Sequence, residues 1–263
     1  MIIIFCFLQV LERVTSYLLA QDKIRVLIGP AIENLGKGRT NEFVKLLETF
    51  LDTRALRSQA RANEPVLQGV EVLLDEPNKR VPELRLVLDG TKKPGDGRFG
   101  FVDIFIHPML TSAVGRWTCG VVLELKNIML GGLWNGEMND WNNQPIFSDL
   151  KKLQGKICKE DDKSLLARKY MYWSEEKHGP VSTTVGDVMA NAVKQLEKYM
   201  QTIGKGKPKS YYDSGVLDSR VRIGEGHDNL QGHVIIAIGG RRILVHSTEL
   251  MPTPNKYQKA LYL

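Results

Sequence analysis

VVLELKN, residues 121–127, decides how this chain is read. Val121, Val122, Leu123 and Leu125 mark a buried β-strand, yet Glu124 and Lys126 interrupt it two positions apart. Side chains alternate along a strand, so Glu124 and Lys126 share a face, with Cα atoms roughly 6.5–7 Å apart. Val121, Leu123 and Leu125 face the other way, into a core. Burying either charge alone is costly, so the acid and the amine need each other or a third partner.

A preceding strand supplies a candidate third partner. FGFVDIFIHP (99–108) carries Asp103 between Val102 and Ile104 and stops at Pro108. If the two strands are neighbours, Asp103 lies beside Glu124. Two carboxylates that close repel unless a cation or a proton sits between them. A hard divalent ion, which takes oxygen ligands, suits that place. Lys126 would then sit where it can hold an attacking water and offset charge on a phosphate. The plain alternative is an ion pair on a surface strand, since E-x-K triplets are common.

Working outward, ELRLVLDG (83–90) alternates as a strand and closes on Asp-Gly, and TKKPGDGR is a turn-rich connection. Upstream, NEPVLQGVEVLLDEP predicts a helix. Asn63 caps it, Pro65 sits in its first turn, Val66, Leu67, Val70, Leu73 and Leu74 form its stripe, and Pro77 ends it. Downstream, VGDVMANAVKQLEKYMQTIG (185–204) predicts a strong helix closed by Gly204. HVIIAIGGRRILVHS (233–247) reads as two strands around Gly239-Gly240. Between the third strand and that helix lies a long polar insertion, about 128–180, with Trp134, Trp141 and Trp173. The first sixty residues form a helical N-terminal segment: helical spacing over 8–22, a strand-like IRVLI closed by Gly29 and Pro30, and a helix capped at Thr40 or Asn41. The expected organisation is a segment at 1–60 and a domain at 61–263. Helix, three strands, insertion, helix and one or two strands give an α/β layered fold.

With that order, FVDIFI…VVLELK resembles the PD-(D/E)xK, or restriction-endonuclease-like, nuclease superfamily, over about residues 61–247. The variety it resembles follows an AAA-ATPase-like region in uncharacterised microbial and fungal proteins; no such region lies in these 263 residues. The resemblance implies an αβββαβ core with a central mixed sheet flanked by helices. It implies Asp103 and Glu124 as ligands of Mg²⁺ (Mn²⁺ as substitute), Lys126 as the catalytic lysine, and Glu64 as an accessory acid. Glu42, Glu48 and Glu71 compete for that last role. Gln195 and Tyr199, four apart, resemble the Q-x-x-x-Y feature of some members, where they would contact nucleic acid; an exposed helix pair is the other account. The sequence departs from the pattern in lacking a Pro before Asp103, in the long connection HPMLTSAVGRWT, and in the insertion. The expected function is hydrolysis of phosphodiester bonds in DNA, with RNA second. The alternative is a nuclease-fold module without catalysis, used for nucleic-acid binding or assembly.

Charge and composition agree with a polyanionic partner without requiring one. Lys plus Arg number 36 against 30 acids, a formal charge of +6. Lys92, Lys93 and Arg98, then Lys205, Lys207 and Lys209, then Arg241 and Arg242 cluster in loops, as phosphate contacts or as ordinary solvated surface. Cys6, Cys119 and Cys158 form no CxxC pair or zinc spacing, which predicts a reducing compartment. The apolar run Ile2–Leu8 is too short to span a bilayer and lacks a basic leader, so the expected location is intracellular, without membrane insertion or secretion. GPAIENLGKGRT fails the Walker A spacing. EGHDNLQGH, with His227, Asp228 and His233, matches no metal spacing and reads as a polar loop. The Trp-rich stretch LWNGEMNDWNNQ stacks unpaired bases or packs as a covering loop.

Overall fold

In the computed structural model, the described residues are 27–52, 80–108, 110–111, 115–116, 119–239 and 241–260. The helical patterns at 8–22 and 63–77, with Glu64 and Glu71, fall outside them. Helix α1 covers 27–35 and α2 Asn41–Asp52. Strands β1 (Arg80–Val87), β2 (Phe99–Ile106) and β5 (Cys119–Ile128) follow, with the short β3 (Leu110–Thr111) and β4 (Gly115–Arg116) paired in the long connection before β5. Then come α3 (Leu130–Met138), α4 (Phe147–Ile157), α5 (Asp162–Leu166), β6 (Lys169–Ser174), β7 (Gly179–Thr184) and α6 (Val185–Gly204). The chain continues through β8 (Gly215–Val216), β9 (Val221–Ile238), β10 (Arg242–Ser247) and β11 (Met251–Lys259).

The central sheet runs β10-β9-β5-β2-β1-β8, with β11 also paired to β9. β5 and β9 are parallel; the other pairings in this sheet are antiparallel. A parallel pair needs a crossover, and α6 provides it. Thr184 and Asp187 form a reciprocal capping box at its start. Its apolar stripe buries Val185, Ala192, Leu196, Tyr199, Met200 and Ile203.

Alternation along the strands builds two cores. Val122, Val234 and Ile236 join the α6 side, while Val121, Leu123, Ile235 and Ala237 join the other. That second core is completed by Ala31, Ile32 and Leu35 of α1 and by Phe43, Leu46, Leu47 and Leu51 of α2. The result is a mixed sheet flanked by helices.

Two expectations need correction. IRVLI is not a strand through to Ile28: Leu27 and Ile28 belong to α1, whose spacing 28, 31, 32, 35 is helical and outweighs the short apolar run. EGHDNLQGH is not a loop but the middle of β9, an 18-residue strand. Its polar side chains have partners that sequence does not reveal. His233 binds Ser247 Oγ and the Leu35 carbonyl, each at 2.9 Å, and burial lowers its pKa to about 4, so its ring is neutral. Asp228 Oδ2 accepts from Tyr257 N–H at 3.0 Å. Beyond these, MPTPNKYQK forms β11, which drops Tyr257 into the α6-side core.

The insertion is ordered rather than merely polar. Arg168 clamps Glu137 and Glu160, Trp134 packs against the core, and α3 rests on β6. The fit there is close: a Cβ on Gly132 would lie 2.4 Å from the Met171 carbonyl, and one on Gly136 2.4 Å from that of Lys169. Trp141 and Trp173 sit with ring centroids 6.2 Å apart, Trp173 half exposed. Among the described residues, no helix is long and apolar enough to cross a membrane.

Candidate functional site

Asp103 and Glu124 come together where β2 and β5 part. The ladder pairs Ile106 with Val121, Phe105 with Val122 and Ile104 with Leu123, then stops. The next rung would be Asp103 against Glu124. There the Asp103 side chain takes the place of backbone: Oδ2 accepts from Leu125 N–H at 2.6 Å. This bond fixes the carboxylate between the strands and satisfies a donor that the broken ladder would orphan.

Glu124 is buried, with 1% of its surface exposed. Lys126 Nζ donates to its Oε1 at 2.6 Å, while Oε2 is buried with no hydrogen-bond partner. Burial, reinforced by the Asp103 charge and only partly offset by Lys126, pushes the Glu124 carboxyl up to about 7. Burial likewise raises Asp103, against the Leu125 N–H and Lys126, with Glu83 adding to the rise. Each carboxylate thus spends one oxygen on a protein donor. Lys126, one-third exposed, reaches from solvent to the buried acid.

From α6, Gln195 Nε2 donates to Tyr199 Oη at 2.8 Å, as the four-residue spacing anticipates. Tyr199 is buried rather than part of an exposed pair. Burial foremost raises its phenol, and its neighbours include Glu124, Lys126 and Asp103. The Q-x-x-x-Y pair therefore borders the carboxylates from above the sheet.

Sequence reasoning missed Glu83. The β1–β2 register pairs Pro82 with Ile104 and Leu84 with Val102, which sets Glu83 opposite Asp103. Glu83 has φ 48°, a left-handed conformation uncommon for a residue with a side chain. At this rung the α6-side core passes in β1 from Val81 to Leu84 and Leu86, a change of parity that the turned backbone of Glu83 accommodates. The visible signal was slight: an acid directly after Pro82, at the head of the alternating ELRLVLDG.

The proposed nucleic-acid contacts divide. Arg98 is buried, donating to the carbonyls of Gly90, Lys92 and Tyr211 with its guanidinium 3.8 Å from the Tyr211 ring centroid, so it braces a loop and faces no phosphate. Arg242 pairs with Asp162 and tethers the insertion to β10. Lys205 Nζ donates to Ser214 Oγ at 2.7 Å. Lys92, Lys93, Lys207 and Lys209 are exposed. Arg241 is exposed in the β9–β10 turn, at the Ile128 end of β5. Among the described residues, no group of three or more His, Cys, Asp and Glu side chains is placed to hold a metal. In comparisons with known proteins, the chain matches no family model, no curated protein and no solved structure.

Proposed function

We propose that this chain is a metal-dependent phosphodiesterase of the PD-(D/E)xK kind, acting on nucleic acid through Asp103, Glu124 and Lys126. The observation that carries the reading is the buried, partnerless Oε2 of Glu124 beside the Asp103 carboxylate. A polar atom kept that way without reward costs about 1–3 kcal/mol. The topology supports it: three antiparallel strands, a crossover helix and a parallel strand follow the αβββαβ order from β1 onward.

The donor set suits a hard divalent ion such as Mg²⁺, with Mn²⁺ as substitute, because both ligands are carboxylate oxygens. Asp103 Oδ1 and Glu124 Oε2 would hold it, since their partner oxygens serve Leu125 and Lys126. When bound, such an ion supplies charge to a scissile phosphate and lowers the pKa of a bound water. The chain's own part is positional. Leu125 N–H aims Asp103, and Glu124 aims the Lys126 ammonium, which can orient a water and counter charge that develops on phosphate. Gln195 holds the Tyr199 hydroxyl beside them.

The test is calorimetric titration with Mg²⁺ and Mn²⁺, alongside cleavage of DNA and RNA by wild type and by Asp103→Ala, Glu124→Ala and Lys126→Ala. Metal binding abolished by Asp103→Asn, with cleavage lost in all three alanine variants, is the expected result. Identical behaviour of wild type and variants on every substrate refutes it. A second reading, a nuclease-fold module that binds without cutting, is favoured by the two-carboxylate site with its closed Glu124–Lys126 pair. It predicts no metal binding and undiminished affinity for nucleic acid in Asp103→Asn.

A further inference from the structure

A groove of about 590 Å³ opens beside Asp103, lined on the sheet by Glu83, Arg85, Phe101 and Asp103. A second, of about 900 Å³, is lined by Lys207, Arg222 and Lys259 among others. The two share Leu217, Asp218 and Ser219 as a common wall. That wall is fixed to β1. Leu217 N–H donates to the Arg85 carbonyl at 2.9 Å, Arg85 N–H donates to Asp218 Oδ2 at 3.3 Å, and an Arg220 guanidinium nitrogen donates to the Glu83 carbonyl at 3.2 Å.

Charge is graded along this path. In the groove beside Asp103 the acids Glu83 and Asp103 are interleaved with Arg85 and Arg220, while the second groove carries the cations Lys207, Arg222 and Lys259. Asp218, in the middle, is neutralised by Arg220 at 2.7 Å. A polyanion laid from the second groove into the first passes from Lys207, Arg222 and Lys259 to Asp103.

Phe101 is the second distinguishing feature. It lies two residues from Asp103 in β2, lines the same groove, and is 51% exposed. Its ladder partner is Arg85, whose guanidinium sits 4.2 Å from the Phe99 ring centroid. An exposed aromatic flanked by cations is how proteins hold unpaired bases: the ring stacks on a base while the cations follow the backbone. A duplex keeps its bases inside the stack and offers nothing for Phe101 to cover.

Building on the phosphodiesterase reading, we propose that the substrate is an unpaired nucleic-acid strand, drawn along the Lys207–Arg222 groove over the Leu217–Ser219 wall to Asp103, with a base stacked on Phe101.

The experiment is fluorescence anisotropy of the full chain with labelled dT20, labelled U20 and a fully paired hairpin closed by a non-nucleotide linker, in EDTA and in Mg²⁺. Both single strands are expected to bind more tightly than the hairpin, and the preference between dT20 and U20 assigns the sugar. Phe101→Ala should weaken single-strand binding about fivefold or more, the loss of one stacked base. Phe101→Trp should restore it. Lys207→Ser with Arg222→Ser should flatten the slope of log affinity against log salt by about 1.4, two phosphate contacts on a single strand. All these side chains are exposed, so circular dichroism should be unchanged. Equal affinity for hairpin and single strands, or unaltered binding by Phe101→Ala, overturns the proposal. The outcome is separable from the catalytic reading: Asp103→Asn should abolish cleavage yet keep Phe101-dependent binding in EDTA, whereas failure of metal titration alone would sink catalysis and leave the strand path standing.

Discussion

Replacing Glu124 by Gln isolates what it costs this fold to keep a carboxyl inside. In the unfolded chain the group titrates near 4.5, and in the native state near 7. A raised folded value means that the native state binds the proton more tightly. The stabilisation is therefore complete below pH 4.5 and is lost as pH rises through 7. The difference of about 2.5 pH units amounts to about 3 kcal/mol. His107 and His233 run the opposite way in the same window. Burial lowers each to about 4, so each contributes stability above 6.5 that is lost as pH falls towards 4. Wild-type stability alone would therefore show a partial cancellation, and the difference between wild type and variant is the quantity to read. Urea unfolding at half-unit steps from pH 4.5 to 8.5, without divalent ions, should show Glu124→Gln gaining about 3 kcal/mol on wild type between the two ends. With Mg²⁺ at a hundred times its dissociation constant, wild type alone should recover about 2.7 kcal/mol at pH 8. If the two proteins keep a constant difference across the range, Glu124 does not titrate as a buried acid and the site is misread.

Asp103→Ala should cost about 1–3 kcal/mol, because it leaves Leu125 N–H without an acceptor. Asp103→Asn keeps an acceptor and should cost less, a contrast that chemical denaturation resolves. Removing the Asp103 charge should also move the Glu124 titration down, towards the ordinary carboxylate range, visible by carbon-detected NMR of the carboxyl group. Gly136→Ala should loosen the insertion, since a Cβ there meets the Lys169 backbone; about 1–3 kcal/mol and faster proteolysis within 130–184 are expected. Arg242→Ala removes a partly exposed ion pair with a well-solvated acid and should change the unfolding free energy by no more than about 1 kcal/mol.

Much of the scaffold was legible because its signals were local. β2, β5 and α6 announce themselves by alternation, by an apolar run and by helical spacing, and each lies within a residue or two of its expected bounds. The adjacency of Asp103 and Glu124 followed from two strands in succession, which pair more often than not. What sequence hid was long-range. The stretch EGHDNLQGH of β9 looks like a glycine-rich loop because its polar residues are satisfied by Ser247, by the Leu35 carbonyl and by Tyr257, none of them a near neighbour in the chain. Arg98 looks like a surface cation because three carbonyls that hold it come from two separate loops. Glu83 was unreadable for a related reason: its importance lies in a backbone turn and a facing rung, neither of which has a motif.

The parallel pairing of β5 with β9 also has a temporal side. Each of its rungs joins residues 110 positions apart, such as Cys119 with Asn229. At ordinary translation speeds of about 5–20 residues per second, the strand bearing Glu124 leaves the ribosome several seconds before its mate is synthesised. During that interval one edge of a very apolar strand is open to any neighbouring chain. A nascent chain of this kind needs shelter, and truncations ending before residue 229 should accumulate as aggregates rather than as a smaller folded protein.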